Sequence, residues 1–242
     1  MGILEHISQK IILPLRLGGV DLTITNGVLT MWLATLLVFG FYFMVSRRMK
    51  LIPGKAQNLA EIVILFIKND IAEQIPQGKE KWLPFIIAVF SFILANNLLG
   101  LVPGIASATS NINTTAALAL IVFCVVQIAG VVKHGLWGYC KNFVPEGIPL
   151  FVVPFIVPIE IVSTLAKPFS LAVRLFANMF AGHAVMLVLI SLIFMFKSYI
   201  IIPLPVLGDV VMLLFEIFVA FIQAFIFTFL TTMYIATALE GH

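Results

Sequence analysis

The chain has 242 residues, of which 62% are hydrophobic and 10% charged, and its mean hydropathy is +1.15. Soluble domains use about 45–50% apolar residues, so this composition excludes a water-soluble globular protein and fits a lipid bilayer as solvent. The net charge of +3 comes from a few Lys and Arg at segment ends, with no basic patch interleaved with exposed aromatics, which excludes nucleic acid as a partner.

Residues 1–27 read as an N-terminal segment. Glu5, His6, Lys10 and Arg16 precede any long apolar stretch and no small-residue cleavage site follows, so no signal peptide is read here and the mature chain is expected to start near Met1. Gly18-Gly19 reads as a turn. Between Asp21 and Arg47 lie 25 uncharged residues, predicting a first membrane helix at 28–46, since a hydrocarbon core of about 30 Å needs about 20 helical residues. The basic cluster Arg47, Arg48, Lys50 and Lys55 marks the cytoplasmic side and leaves the N-terminus external. Pro53-Gly54 then breaks the chain. Residues 56–76 are apolar but interrupted by charge. Gln57, Asn58, Glu61, Lys68 and Asn69 share an arc of about 120°, with Asp70 and Gln74 outside it, and this predicts an amphipathic helix on the cytoplasmic surface.

No charged residue occurs from Trp82 to Val132. Pro103-Gly104 and the polar stretch Ser107 to Thr115 divide this run into two spans, 82–102 and 114–132, joined by an uncharged external loop. Lys133, His134 and Lys141 mark the return to the cytoplasm. Cys124, inside the apolar run, and Cys140, beside Lys141, have no metal-ligand spacing to a histidine and read as free thiols. The remainder reads as two long helices, 149–198 and 208–240, separated by the breaker-rich stretch Ile202 to Gly208, with the C-terminus cytoplasmic. There is no internal repeat, linker or low-complexity segment. Residues 1–242 therefore read as a single all-α membrane domain of about five membrane-inserted helices plus one cytoplasmic-surface amphipathic helix.

Charges at segment ends solvate cheaply, but those of the last two helices sit far from any end. An ionised group at the bilayer centre costs at least about 2.5–3.5 kcal/mol on insertion scales, so it faces a partner or water. On an ideal helix Glu160, Ser163, Lys167 and Asn178 all fall within about 40° of Arg174, forming one polar stripe. Asp209, Glu216 and Gln223 are spaced seven apart, drift by only about 20° per step and form another. Two facing stripes would line an aqueous path. His183 lies about 180° from Arg174, so it serves another side or the helix deforms around Gly182. Plainer roles compete: Arg174 snorkelling to an interface, Lys167 anchoring a helix end before Pro168, and Glu160 and Glu216 as a buried pair or interfacial carboxylates. His183 as a hydrogen-bonded core residue, and Asn178 and Gln223 as stitches between helices, complete that set. No Walker-type glycine loop, GxGxxG, His-Glu-x-x-His or Gly-x-Ser-x-Gly occurs, so no catalytic constellation, cofactor or metal site is predicted.

The segment Pro168-Phe-Ser-Leu-Ala-Val-Arg174-Leu-Phe-Ala-Asn178-Met-Phe-Ala-Gly182-His183 resembles the signature of the a subunit of F-type ATP synthases, the ATPase protein 6 family of the membrane Fo sector. Glu160, Ser163, Lys167, Arg174 and Asn178 meet the family spacing. The stretch Glu216 to Gln223, then Ala224-Phe-Ile-Phe227 and on to Tyr234, is similar to the family's final helix. Asn97-Leu-Leu-Gly-Leu-Val-Pro103 resembles its external-turn motif, in which some members carry Asp where Gly100 stands. Some bacterial members hold Glu at the place of His183 and His at the place of Glu216; the reversed pair here is similar to mitochondrial and alphaproteobacterial members.

The resemblance implies a non-catalytic stator subunit with no nucleotide site, its last two helices forming a hairpin against a ring of c subunits. Peripheral-stalk b subunits, the rest of the F1Fo complex and the bilayer are its other partners. Two offset half-channels would lead to and from the ring carboxylate, with Arg174 between them and Glu160, Ser163, Asn178, His183, Glu216 and Gln223 on the ion route. Lys167, Asp209 and Asn97 are accessory candidates. Arg174 suits that place because a guanidinium keeps its proton and acts as a fixed charge. The bacterial inner membrane is the expected location, with an organellar inner membrane as the alternative. H⁺ is the expected ion and Na⁺ the alternative, because the ring's own site largely chooses it. A secondary transporter would show paired broken helices in corresponding halves, whereas only the C-terminal part of this chain carries such charges. A non-conducting scaffold would leave both polar stripes without a use.

Overall fold

The computed structural model describes residues 11–14, 16–17, 20–21, 23–75, 78–102, 104–141, 152–196 and 203–240. The expectations resting on Glu5, His6, Lys10, Gly18-Gly19, Pro103, Pro149 and Ile202 lie outside them, as does the side chain of Cys140.

The segment before the first helix forms short antiparallel pairings rather than irregular chain. Strand β1 (Ile11–Leu13) pairs with β4 (Ile24–Thr25), and nested inside them β2 (Arg16–Leu17) pairs with β3 (Val20–Asp21). In that ladder position 16 stands in register with position 21, and 17 with 20. Helix α1 (Asn26–Arg47) follows directly, its basic end marked by the Arg47 guanidinium 4.7 Å from the Phe43 ring centroid. Gln57 then ties the connection down: its amide nitrogen donates to the Lys50 carbonyl at 3.0 Å and to Glu61 Oε1 at 2.8 Å.

The predicted surface helix is α2 (Lys55–Phe66), continued by a π-helical turn at Ile67–Ile71 and a 3₁₀ turn at Ala72–Gln74. The wider π turn resets the helical phase. Ile67, Ile71, Ala72 and Ile75 become buried while Asp70 and Gln74, which an ideal helix would set apart from the polar side, reach the surface. Helices α3 (Lys79–Gly100), α4 (Ile112–Lys141), α5 (Val153–Phe196) and α6 (Pro203–Glu240) complete the chain.

With α1, these give five helices among the described residues that are long and apolar enough to cross a membrane, and the protein is all-α in class. A helix of 22 residues such as α1 or α3 spans about 33 Å, matching a hydrocarbon core of about 30 Å. At 44 residues α5 is about twice that length, so it crosses tilted or projects beyond the core. It stays helical through Pro158 and Pro168, each of which removes one ladder hydrogen bond.

Two boundaries differ from the sequence expectation for chemical reasons. Helix α6 begins at Pro203 rather than at 208, because proline in a first helical turn lacks only an N–H that has no intrahelical acceptor there. Helix α4 continues past 132 to Lys141 only as a second helical piece: Gly135 takes the non-helical φ 72° and ψ 166°, so residues 136–141 leave the axis of those before it.

Helix α1 lies at the edge. Gly27, Thr30, Ala34 and Val45 are its buried residues, and it packs on α3, where Tyr42 and Ser91 hydroxyls meet at 3.0 Å. Trp32, Leu36, Leu37 and Phe39 are exposed, as lipid-facing side chains are. Helix α5 packs on α4 and α6, and α6 also packs on α3. One buried cluster joins Ile67, Ile71 and Ile75 to Ile86, Phe90 and Ile93 of α3, Leu171 and Leu175 of α5, and Phe227 and Ile235 of α6. Long-range bonds fix which ends lie together. Thr30 Oγ1 donates to the Ala106 carbonyl of the α3–α4 connection at 2.9 Å, while His134 Nε2 meets the Leu239 carbonyl at 3.1 Å, so the ends of α4 and α6 adjoin at the other side.

Candidate functional site

Helix α5 presents Leu171, Ala172, Leu175, Met179 and Gly182 as its buried side, a face centred about 100° around the helix from Arg174. Helix α6 answers with buried Glu216, Ala220, Gln223, Ala224, Phe227 and Thr228. Small residues let the two backbones approach, and the polar groups among them define two separate regions.

In the first region the Glu216 carboxylate, 3% exposed, lies directly on Gly182. Glu216 Oε2, Asp209 Oδ1 and His183 Nε2 are buried with no hydrogen-bond partner among the described residues. From α3 the fully buried Asn97 donates its Nδ2 to the Ala220 carbonyl, one turn beyond Glu216, at 3.3 Å, and its Oδ1 is likewise unpartnered. Buried polar atoms left without protein partners are places that water must satisfy. Gly100, at the end of α3, is packed so that a β-carbon would sit 2.7 Å from Ser107 Oγ, and an acid at this position would displace that serine.

The second region is a cleft of about 700 Å³, its open mouth included, between α4, α5 and α6. Gln127, Tyr139, Glu160, Thr164, Lys167 and Tyr234 line it together with apolar Val122, Phe123 and Leu171. The Lys167 ammonium lies 5.5 Å from the Tyr234 ring centroid, a cation–π contact that shelters the charge without neutralising it.

Arg174 belongs to neither region. It is exposed on α5, its Nη2 3.5 Å from Ser170 Oγ, and Ser163 and Asn178 are exposed as well. The two polar stripes therefore do not face each other across the helix pair. Gln223, 7% exposed, is turned into the helix packing, whereas Arg174 is turned to the outside. Sequence reading passed over Gln127, although it is conspicuous as an amide inside the apolar run Ala116 to Val132. It also passed over Tyr139, whose place depends on the positive φ of Gly135 and has no signal in hydropathy. Cys124 is a free and exposed thiol.

These features define a polytopic helical membrane protein with polar groups buried at one level of its last helix pair, others half-buried in a cleft beside that pair, and a cation on its outer face. The sequence profile of the family described as ATP synthase A chain matches residues 28–236. The chain is 42% identical to the ATP synthase subunit a of Chloroherpeton thalassium over 236 residues, covering 94% of this chain and 71% of that one. It is 41% identical to that of Magnetococcus marinus over 251 residues, covering 100% and 94%. With the Rhodospirillum rubrum protein it shares 38% identity over 239 residues, 98% of each chain. The chain belongs to the ATP synthase A chain family.

Proposed function

We propose that this chain is the proton-translocating stator subunit of a rotary F-type ATP synthase, itself non-catalytic, working against a ring of c subunits in a bacterial inner membrane. The observation that carries the reading is the position of Arg174: a permanent charge on the open face of α5, lying in sequence between Glu160 of the cleft and Gly182 under Glu216. Such a charge facing lipid alone is costly. A ring carboxylate passing this face would supply the counter-charge and would be favoured in its ionised form while it did so.

The half-channels follow from the two polar regions. Glu216, His183, Asn97 and Asp209 would serve the external access, with proton-carrying groups and unpartnered atoms for water. Glu160, with Ser163 and Lys167 nearby on α5, would serve the cytoplasmic access through the cleft. Asn178, exposed one turn along α5, would flank the Arg174 barrier, and Gln223 would support the barrier from within the helix packing. A proton would enter on one side, neutralise a ring carboxylate, ride round, and leave on the other side as Arg174 draws the carboxylate back to its charged form. Each charge crossing about 100 mV releases about 2.3 kcal/mol, so successive steps sum to useful work.

The test is Arg174→Gln in the assembled complex. An exposed side chain contributes little packing, so assembly should persist while ATP synthesis under an imposed proton gradient is lost. Arg174→Lys should recover it only in part, because lysine lacks the planar fork and gives up its proton when desolvated. Normal synthesis by assembled Arg174→Gln enzyme would overturn the proposal.

A further inference from the structure

At Gly135 the backbone of α4 takes a conformation that side-chain-bearing residues avoid, and the chain turns back on itself. Tyr139 thereby returns to the flank of the same helix. Its ring lies on Gly130, where a β-carbon would collide with ring atoms Cε2 and Cδ2, and its hydroxyl donates to Gln127 Oε1. Three features of different kinds thus converge on one side chain: a left-handed glycine that reverses the chain, a second glycine that makes a seat, and an amide in an otherwise apolar run that receives the hydroxyl. Tyr139 and Gln127 both line the cleft that holds Glu160 and Lys167.

We propose that Tyr139 is a latch on this cleft: seated on Gly130 and tethered to Gln127, it sets how readily water and ions reach the Glu160 side chain. The consequence for ion release rests on the reading of the cleft as the cytoplasmic access; the latch itself rests on the packing alone. Tyr139 acts through access and is a positioning residue. Gly130 owes its identity to the ring beside it, because alanine is the better helix former at any position without such a neighbour.

The experiment uses the whole complex in vesicles, with Cys124→Ala and Cys140→Ala to remove native thiols and Thr164→Cys, in the cleft wall, as reporter. The measurement is the rate of labelling by a charged methanethiosulfonate reagent. Tyr139→Phe keeps the ring on its seat and removes the tether. Losing one hydrogen bond shifts a closed-to-open equilibrium by about fivefold, and the labelling rate should rise by that order. Gly130→Ala drives the ring off and should raise it at least as far. Parent labelling rates in assembled Tyr139→Phe and Gly130→Ala complexes overturn the latch whatever the pumping rate. Should Gly130→Ala not assemble, Tyr139→Phe alone decides. Faster labelling with altered ATP-driven proton pumping supports the latch and its place on the ion route. Faster labelling with unaltered pumping supports the latch and overturns the assignment of the cleft as an ion access.

Discussion

Glu216 and Gly182 are a matched pair: the carboxylate occupies the space that any β-carbon at position 182 would take. The acid on α6 is buried to 3% exposure because α5 has a glycine there and can offer bare backbone. Gly182→Ala should therefore act on the acid rather than on helix propensity, which alanine improves. Overpacking of this kind costs about 1–3 kcal/mol. ATP synthesis should fall severely in assembled complexes, and the shorter acid of the double variant Gly182→Ala, Glu216→Asp should recover part of it. Equal activity of the single variant and the parent would show that Glu216 has no need of its seat.

His183 follows Gly182, the seat of Glu216, along α5, and its Nε2 is buried without a hydrogen-bond partner among the described residues. Exchanging them, His183→Glu with Glu216→His, keeps one acid and one imidazole. Coupled transport by the double variant should exceed that of either single change. A double variant no better than the worse single would separate the two residues functionally.

Glu160 reaches the cleft from α5. Glu160→Gln preserves shape and removes the ionisable group, so ATP-driven pumping should slow while assembly and the labelling of cleft residues stay unchanged. An unchanged pumping rate would leave Glu160 a structural side chain of the wall.

By the bias of Lys and Arg toward the inner face, the basic clusters Arg47 to Lys55 and Lys133 to Lys141 predict a cytoplasmic C-terminus. A cysteine at residue 242 should resist membrane-impermeant reagents added outside intact cells. Efficient external labelling there would invert the topology.

The helical class was legible because apolar length is a direct physical demand of the bilayer, and α1 and α3 are readable from charge-free runs alone. The irregular parts were less so. Asp70 and Gln74 looked misplaced because periodicity assumes one pitch, and a π turn changes it. Pro203 looked like a breaker because composition does not say whether a proline stands inside a helix or begins one. At the candidate site the spacing gave the stripe containing Glu160 and Arg174, but stripe angles carry no information on which neighbour each helix meets. The burial of Gln223 and the exposure of Arg174 are decided by the leucine and glycine face of α5, on the side of the helix that the charges do not occupy.

The order of these residues along the chain also sets a schedule for biosynthesis. Asn97 meets Ala220 across a separation of 123 residues. At roughly 5–20 residues per second of synthesis, its amide waits roughly 6–25 s for that acceptor. The group that waits is a neutral amide on α3. Glu160 on α5 and Glu216 on α6 are made only after α3 and α4, so the acids of the cleft and of the buried region arrive when a protein surface already stands ready to receive them.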